Sequence, residues 1–128
     1  HDGNVNKSAG QEILAPASGY VYFSDSYPDF VCLSIDANRS LSIGHIDRSP
    51  SLTSGAYIEQ DTVLGTLSYA NSINGGYAHI HIEGKNSSNC GGTSIPFTEA
   101  NGLRFNGVGD LPDLLGENDH FRMPLTRP

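Results

Sequence analysis

The sequence predicts a mostly-β chain folded as a single domain, residues 1–128, and three observations carry that expectation. With 128 residues the chain is long enough for one hydrophobic core and short for two. Its 15 glycines, with frequent Ser, Asn and Asp, cut the sequence into short apolar runs. Almost no stretch of ten or more residues spaces its apolar positions for a helix, whereas several alternate with period two.

Taken in order, "EILAPASGYVYF" (12–23) reads as strand, tight turn, strand, with Pro16 and Gly19 making the turn. "FVCLSID" (30–36) alternates as a strand, Asn38 and Arg39 mark a hairpin turn, and "SLSIGHI" (40–46) returns with period two. "RSPSLTSGAYIEQD" reads as a loop, "TVLGTLSY" as a strand, "ANSINGG" as a Gly/Asn loop, and "YAHIHIEG" (77–84) as a further strand. Beyond Cys90 the turn signals multiply, which suggests long loops with one short helix or hairpin. Residues 105–128 are expected to form peripheral loops and a tail.

Composition excludes several functions. A net charge of −7, with only 7 Lys and Arg, lacks the basic footprint that nucleic acid requires. The same charge disfavours adhesion to anionic membranes or polymers. No apolar run approaches the roughly 18 residues of a membrane span. The partners expected are neither nucleic acid nor membrane, and the chain is expected to act as a monomer. Two cysteines, Cys32 and Cys90, accompany three Asn-x-Ser sequons at Asn6, Asn38 and Asn86. The pair reads either as buried thiols or as a disulfide; the sequons favour a secreted chain with a Cys32–Cys90 bridge.

The histidines are the chemical signal. In a strand, residues i and i+2 project from one face. His79 and His81 would then face a cleft, with Tyr77, while Ala78, Ile80 and Ile82 pack the core. Two imidazoles on one face suit a divalent metal such as zinc or copper. They chelate together, or one binds while the other handles protons. Glu83 shares their face and reads as a rim residue. His45, in "SIGHID", closes its own strand, with Ile43 on its face and Gly44 and Ile46 on the other.

These segments together resemble the M23 zinc metallopeptidases (lysostaphin- and LasA-like). "AHIHIEG" resembles their H-x-H-[FI]-E segment, "ILAPASGYV" their V-x-A-x-x-x-G-x-V, and "GHI" (44–46) their Y-x-H-L. "SGAYIEQDTVLGTL" is similar to their glycine-rich hairpin, with Gly55, Ile58, Leu64 and Gly65 in place and Asp61 where glycine is frequent. Order and spacing agree across roughly residues 12–84.

The resemblance implies a domain of antiparallel β-sheet with an open groove, the lysostaphin-type (duplicated-hybrid-motif-like) fold. It implies one zinc ion held by a His, an Asp and the second His of H-x-H, with water in a fourth position. Carried over, His81 is a metal ligand, and His45 and His79 are the acid/base and transition-state-stabilising pair. The remaining ligands would come from "HDGNVN" (1–6), which departs from the family's H-x(3)-D. His1 and Gly3 fit its start, but the aspartate position falls on Asn4 or Val5. Alternatively Asp2 is that aspartate with its His upstream, or His1 and Asp2 ligate as neighbours. The implied function is a zinc metalloendopeptidase acting on bacterial peptidoglycan cross-bridges or Gly-rich proteins. The alternative is a catalytically inactive relative that binds peptide, glycan or protein through an incomplete zinc site. A third reading, copper held by an N-terminal His1 as in polysaccharide oxygenases, is opposed by the 12–84 pattern.

Overall fold

A computed structural model describes residues 9–76 and 78–96, and every regular element among them is a strand. The strands are β1 (Glu12–Leu14), β2 (Gly19–Tyr22), β3 (Phe30–Asp36), β4 (Arg39–Gly44), β5 (Ile46–Arg48), β6 (Tyr57–Ile58), β7 (Val63–Leu67), β8 (His81–Lys85) and β9 (Ser94–Ile95). They form a three-stranded sheet, β1-β7-β5, and a six-stranded sheet, β6-β2-β3-β4-β8-β9. Every pairing is antiparallel.

The mostly-β antiparallel expectation therefore holds, and one core explains why. Ile13, Ile46, Leu64 and Leu67 come from the small sheet, and Val21, Val31, Leu33, Leu41, Ile43 and Ile82 from the large one. Burying such side chains contributes about 1.5–3 kcal/mol each, which is what holds the two sheets together. The period-two pattern is literal in β2, where Gly19 and Val21 are buried and Tyr20 and Tyr22 are exposed.

The strand–turn–strand at 12–23 exists, but its two strands part company. β1 pairs with β7, whereas β2 pairs with β3 and β6. Gly19 is not the turn residue expected from sequence; it lies inside β2, where a Cβ would stand 2.2 Å from the Ser34 carbonyl oxygen. Gly65 in β7 faces a similar restriction, its Cβ position lying 2.1 Å from the Asp47 carbonyl oxygen. Gly65→Ala must push β5 and β7 apart and is expected to destabilise the chain by about 3 kcal/mol, read as a lower urea midpoint.

The hairpin expected at Asn38–Arg39 turns at Ala37–Asn38, and Arg39 opens β4. Asp36 closes the turn, its carboxylate accepting from the Asn38 N–H at 2.8 Å and from Arg39 Nε at 2.8 Å. The stretch expected as a loop at 48–61 contains the end of β5 and the short edge strand β6.

Small side chains on β3 and β4 have a structural reason. Cross-strand pairing places Cys32 beside Ser42 and Ser34 beside Ser40. This face of the large sheet, away from the core, is crossed by the 86–93 loop. A Cys32–Cys90 disulfide fastens it there, linking residues 58 positions apart. The Cys90 N–H donates to Ser40 Oγ at 2.9 Å, and Thr93 N donates to Asn86 Oδ1 at 2.8 Å. Anything bulkier than serine at 40, which touches Cys90 directly, would lift the loop.

Arg48 organises the loop between β2 and β3. Its Nη1 donates to the carbonyls of Tyr27 at 2.8 Å and Phe30 at 3.1 Å, and the guanidinium sits 4.5 Å from the Phe23 ring centroid. Arg48→Met keeps the stem and strands these carbonyls. It is expected to cost about 2 kcal/mol in urea unfolding and to speed proteolysis within 23–30.

Candidate active site

Three histidines from two segments, His45 just past the end of β4 and His79 and His81 around the start of β8, meet at one end of the large sheet. The His45 ring centroid lies 4.7 Å from that of His79 and 5.6 Å from that of His81. Of the residues expected to form the site, His45, His79 and His81 are thus brought together. His1 and Asp2 lie outside the described residues, as do Tyr77 and the tail at 105–128.

His45 reaches this place by breaking its strand. Its φ is 67°, a left-handed conformation uncommon for a residue with a Cβ. The continuous strand expected over 40–46 is therefore two. β4 ends at Gly44 in the large sheet, and β5 begins at Ile46 in the small one. The alternation expected around His45 fails for the same reason: the corner sends both Ile43 and Ile46 into the core, each 0% exposed.

Several bonds hold the corner in its strained conformation. Ser68 N donates to the His45 carbonyl at 3.0 Å, and Ile46 N donates to the Asp29 carbonyl at 3.1 Å. The Asp29 carboxylate meets His45 Nδ1 at 3.2 Å. A carboxylate only accepts, so Nδ1 carries the proton and the neutral ring presents its Nε2 lone pair. Burial lowers the His45 pKa; the hydrogen bond to Asp29 opposes this, and the nearby His81 adds to it. Asp29 has no sequence signature: it lies 16 residues away, and only the corner brings it to the ring.

His79 is not in a strand, since β8 begins at His81. The alternation of its neighbours nevertheless survives, with Ile80 and Ile82 buried and His81 exposed. The preceding Gly/Asn loop is internally braced. Asn74, 2% exposed, donates from Nδ2 to the Tyr69 carbonyl at 2.9 Å and accepts from the Asn71 N–H at 2.9 Å. These bonds hold residues 69–74 of the loop in one conformation.

Glu83 is more than the rim residue expected. One carboxylate oxygen takes His81 Nε2 at 2.9 Å; the other takes Lys85 Nζ at 2.7 Å and Ser94 Oγ at 3.0 Å. The hydrogen bonds from Lys85 and His81 hold its pKa down, to about 2. The carboxylate is ionised at neutral pH, so His81 donates from Nε2, and in the neutral ring it is Nδ1 that carries the lone pair for another partner. A carboxylate behind an imidazole fixes the tautomer of metal-ligating histidines. On that donor chemistry His81 fits zinc as one ligand. Among the described residues no group of three His, Cys, Asp or Glu side chains is arranged to hold a metal.

The site therefore holds one imidazole fixed as an Nε2 acceptor, one fixed as an Nδ1 acceptor, and a third beside them. Such an arrangement can accept and return protons at a reacting group and supply one ligand to a cation. No protein-family model, no curated protein and no solved structure matches this chain.

Proposed function

We propose that the chain is a zinc-dependent endopeptidase of the lysostaphin-like M23 type, acting on peptides of the bacterial cell wall or on glycine-rich proteins. The observation that carries this reading is the convergence of His45, His79 and His81, with Asp29 behind the first and Glu83 behind the last. The quoted motifs of residues 12–84 support it from the sequence side.

His81 would hold the metal through Nδ1, with His1 and Asp2 as the candidates for the remaining ligands. When bound, zinc supplies a more acidic water and polarises the scissile carbonyl. His45 takes a proton at Nε2, and Asp29 steadies the resulting imidazolium through Nδ1–H. His79, packed 4.7 Å from His45, donates to charge developing on the carbonyl oxygen. The disulfide is compatible with an oxidising, extracellular setting, and we read the chain as secreted.

The test is metal content of the purified protein beside hydrolysis of a pentaglycine peptide. Wild-type protein is expected to carry stoichiometric zinc and to lose activity reversibly with a chelator. His81→Ala is expected to lose the zinc. A His81→Ala variant that kept full zinc would overturn the assignment. A folded, metal-free wild type that bound peptide without cleaving it would favour the inactive binding domain instead.

A further inference from the structure

The face of the large sheet that bears His81 and Glu83 also bears a second feature, on the far side of the 86–93 loop. Tyr20 and Tyr22 project from β2 on this face, 49% and 45% exposed. Tyr57, 58% exposed on the edge strand β6, packs against Tyr20 with ring centroids 5.4 Å apart at 73°. Next to them opens a cavity of about 410 Å³, within the range of small-ligand sites, lined by Tyr20 and Tyr22 with Asp36, Ser88 and Asn89 among its walls. Asn89 uses its side-chain oxygen to accept from Ser87 Oγ and Gly91 N, which turns the amide group into a fixed element of the wall.

We propose that this tyrosine platform and its cavity bind a neutral polysaccharide chain. The chemistry selects that occupant. Sugar rings have an apolar C–H face and a hydroxyl edge, and half-exposed tyrosines flanked by amide, hydroxyl and carboxylate groups match both. The T-shaped contact braces Tyr20 and Tyr57, so little rotamer freedom is lost on binding. Among the described residues no lysine lines the cavity, and Arg39 is paired with Asp36, one of its walls. An anionic polymer would meet a carboxylate and a chain of net charge −7. Ile35 and Ala37 add a small apolar floor, but it is broken by Ser34, Asp36, Ser88 and Asn89, so no continuous aliphatic stripe is offered to an amphipathic helix.

The platform stands independently of any hydrolysis, but its position relative to the histidines has meaning. Tyr22, Cys32, Ser42 and Glu83 lie on one cross-strand row, each paired with the next. Three strand spacings, roughly 14 Å, therefore separate the platform from the carboxylate behind His81. A glycan held there would keep an attached peptide within reach of the histidine site.

The test is calorimetric titration with a soluble hexamer of β-1,4-linked N-acetylglucosamine, which carries no peptide. Saturable binding is expected, weakened about fivefold or more by Tyr20→Ala or Tyr22→Ala and little changed by Tyr20→Phe. His79→Ala should bind as wild type does, which separates this site from the peptidase reading. On wild-type protein, amide shifts should centre on Ser88 and Asn89, a readout that needs no variant to fold. Absence of saturable binding, shifts confined to the histidine end, or undiminished binding by folded Tyr20→Ala and Tyr22→Ala variants would each overturn the proposal. So would displacement of the sugar by pentaglycine, which would make the platform a peptide site.

Discussion

Replacing Cys32 and Cys90 together by serine is expected to lower the free energy of unfolding by about 4 kcal/mol. The bridge joins residues 58 positions apart, and closing a loop of that length removes about this much chain entropy from the unfolded ensemble. The folded side adds to it, because Cys32 is only 4% exposed and a serine there buries a hydroxyl. Typical single-domain stability is about 5–15 kcal/mol, so the loss is a large part of the whole. Urea unfolding of the double variant, and of wild type with and without reductant, measures it. A change below about 1 kcal/mol would mean that the unfolded chain is already compact across this loop. The loss should also be local in its structural effect. The 86–93 loop would retain Cys90 N to Ser40 Oγ but no covalent tie to β3, and hydrogen exchange should rise first at residues 87–92.

The second large effect is at His45, where two substitutions are expected to agree in activity and differ in stability. His45→Ala and His45→Gly both remove the Nε2 acceptor, and under the proposed peptidase function both are expected to reduce peptide hydrolysis about 10²- to 10⁴-fold. The bonds on either side of the corner are expected to keep its positive φ, 67° in the native chain, in both variants. Glycine adopts that conformation freely and alanine does not, so His45→Gly should be more stable than His45→Ala by about 1 kcal/mol. Equal stabilities would mean that the corner relaxes once the ring is gone. Asp29→Asn leaves the corner and the ring in place but weakens the hold on Nδ1–H, and its turnover should fall by an intermediate amount. Steady-state hydrolysis and urea unfolding on the same preparations separate the two effects.

Much of the fold was legible because it rests on local pattern. "FVCLSID" reads as a strand and is one, residue for residue, since alternation and β-branched content need no distant partner. Val63–Leu67 falls within its expected run for the same reason, and His81–Lys85 overlaps the second half of the run expected over 77–84. The failures come from long-range geometry. Gly19 reads as a turn glycine, yet its role is to let β3 approach β2, which no neighbour in sequence announces. "SLSIGHI" reads as one strand because a left-handed histidine is invisible to periodicity.

The site divides along the same line. His79 and His81 stand out as a spaced pair, and His45 stands out only beside the ordered motifs. Asp29, in "YPDF", has nothing to distinguish it from any loop aspartate. Glu83 was placed on the correct face, but its hold on His81 depends on Lys85 and on Ser94 of the adjoining strand. Residues that chemistry requires are conspicuous by type; residues that orient them are defined by contact.

The junction at His45 also says what kind of object this site is. One residue carries the chain from one sheet to the other, with its imidazole braced at that point and no slack on either side. A sliding of one sheet over the other would turn that ring. Inserting a single residue there would invert the facing of every side chain in β5. The histidine constellation is therefore not portable as a loop. Transplanting it to another scaffold would require transplanting the seam between two sheets.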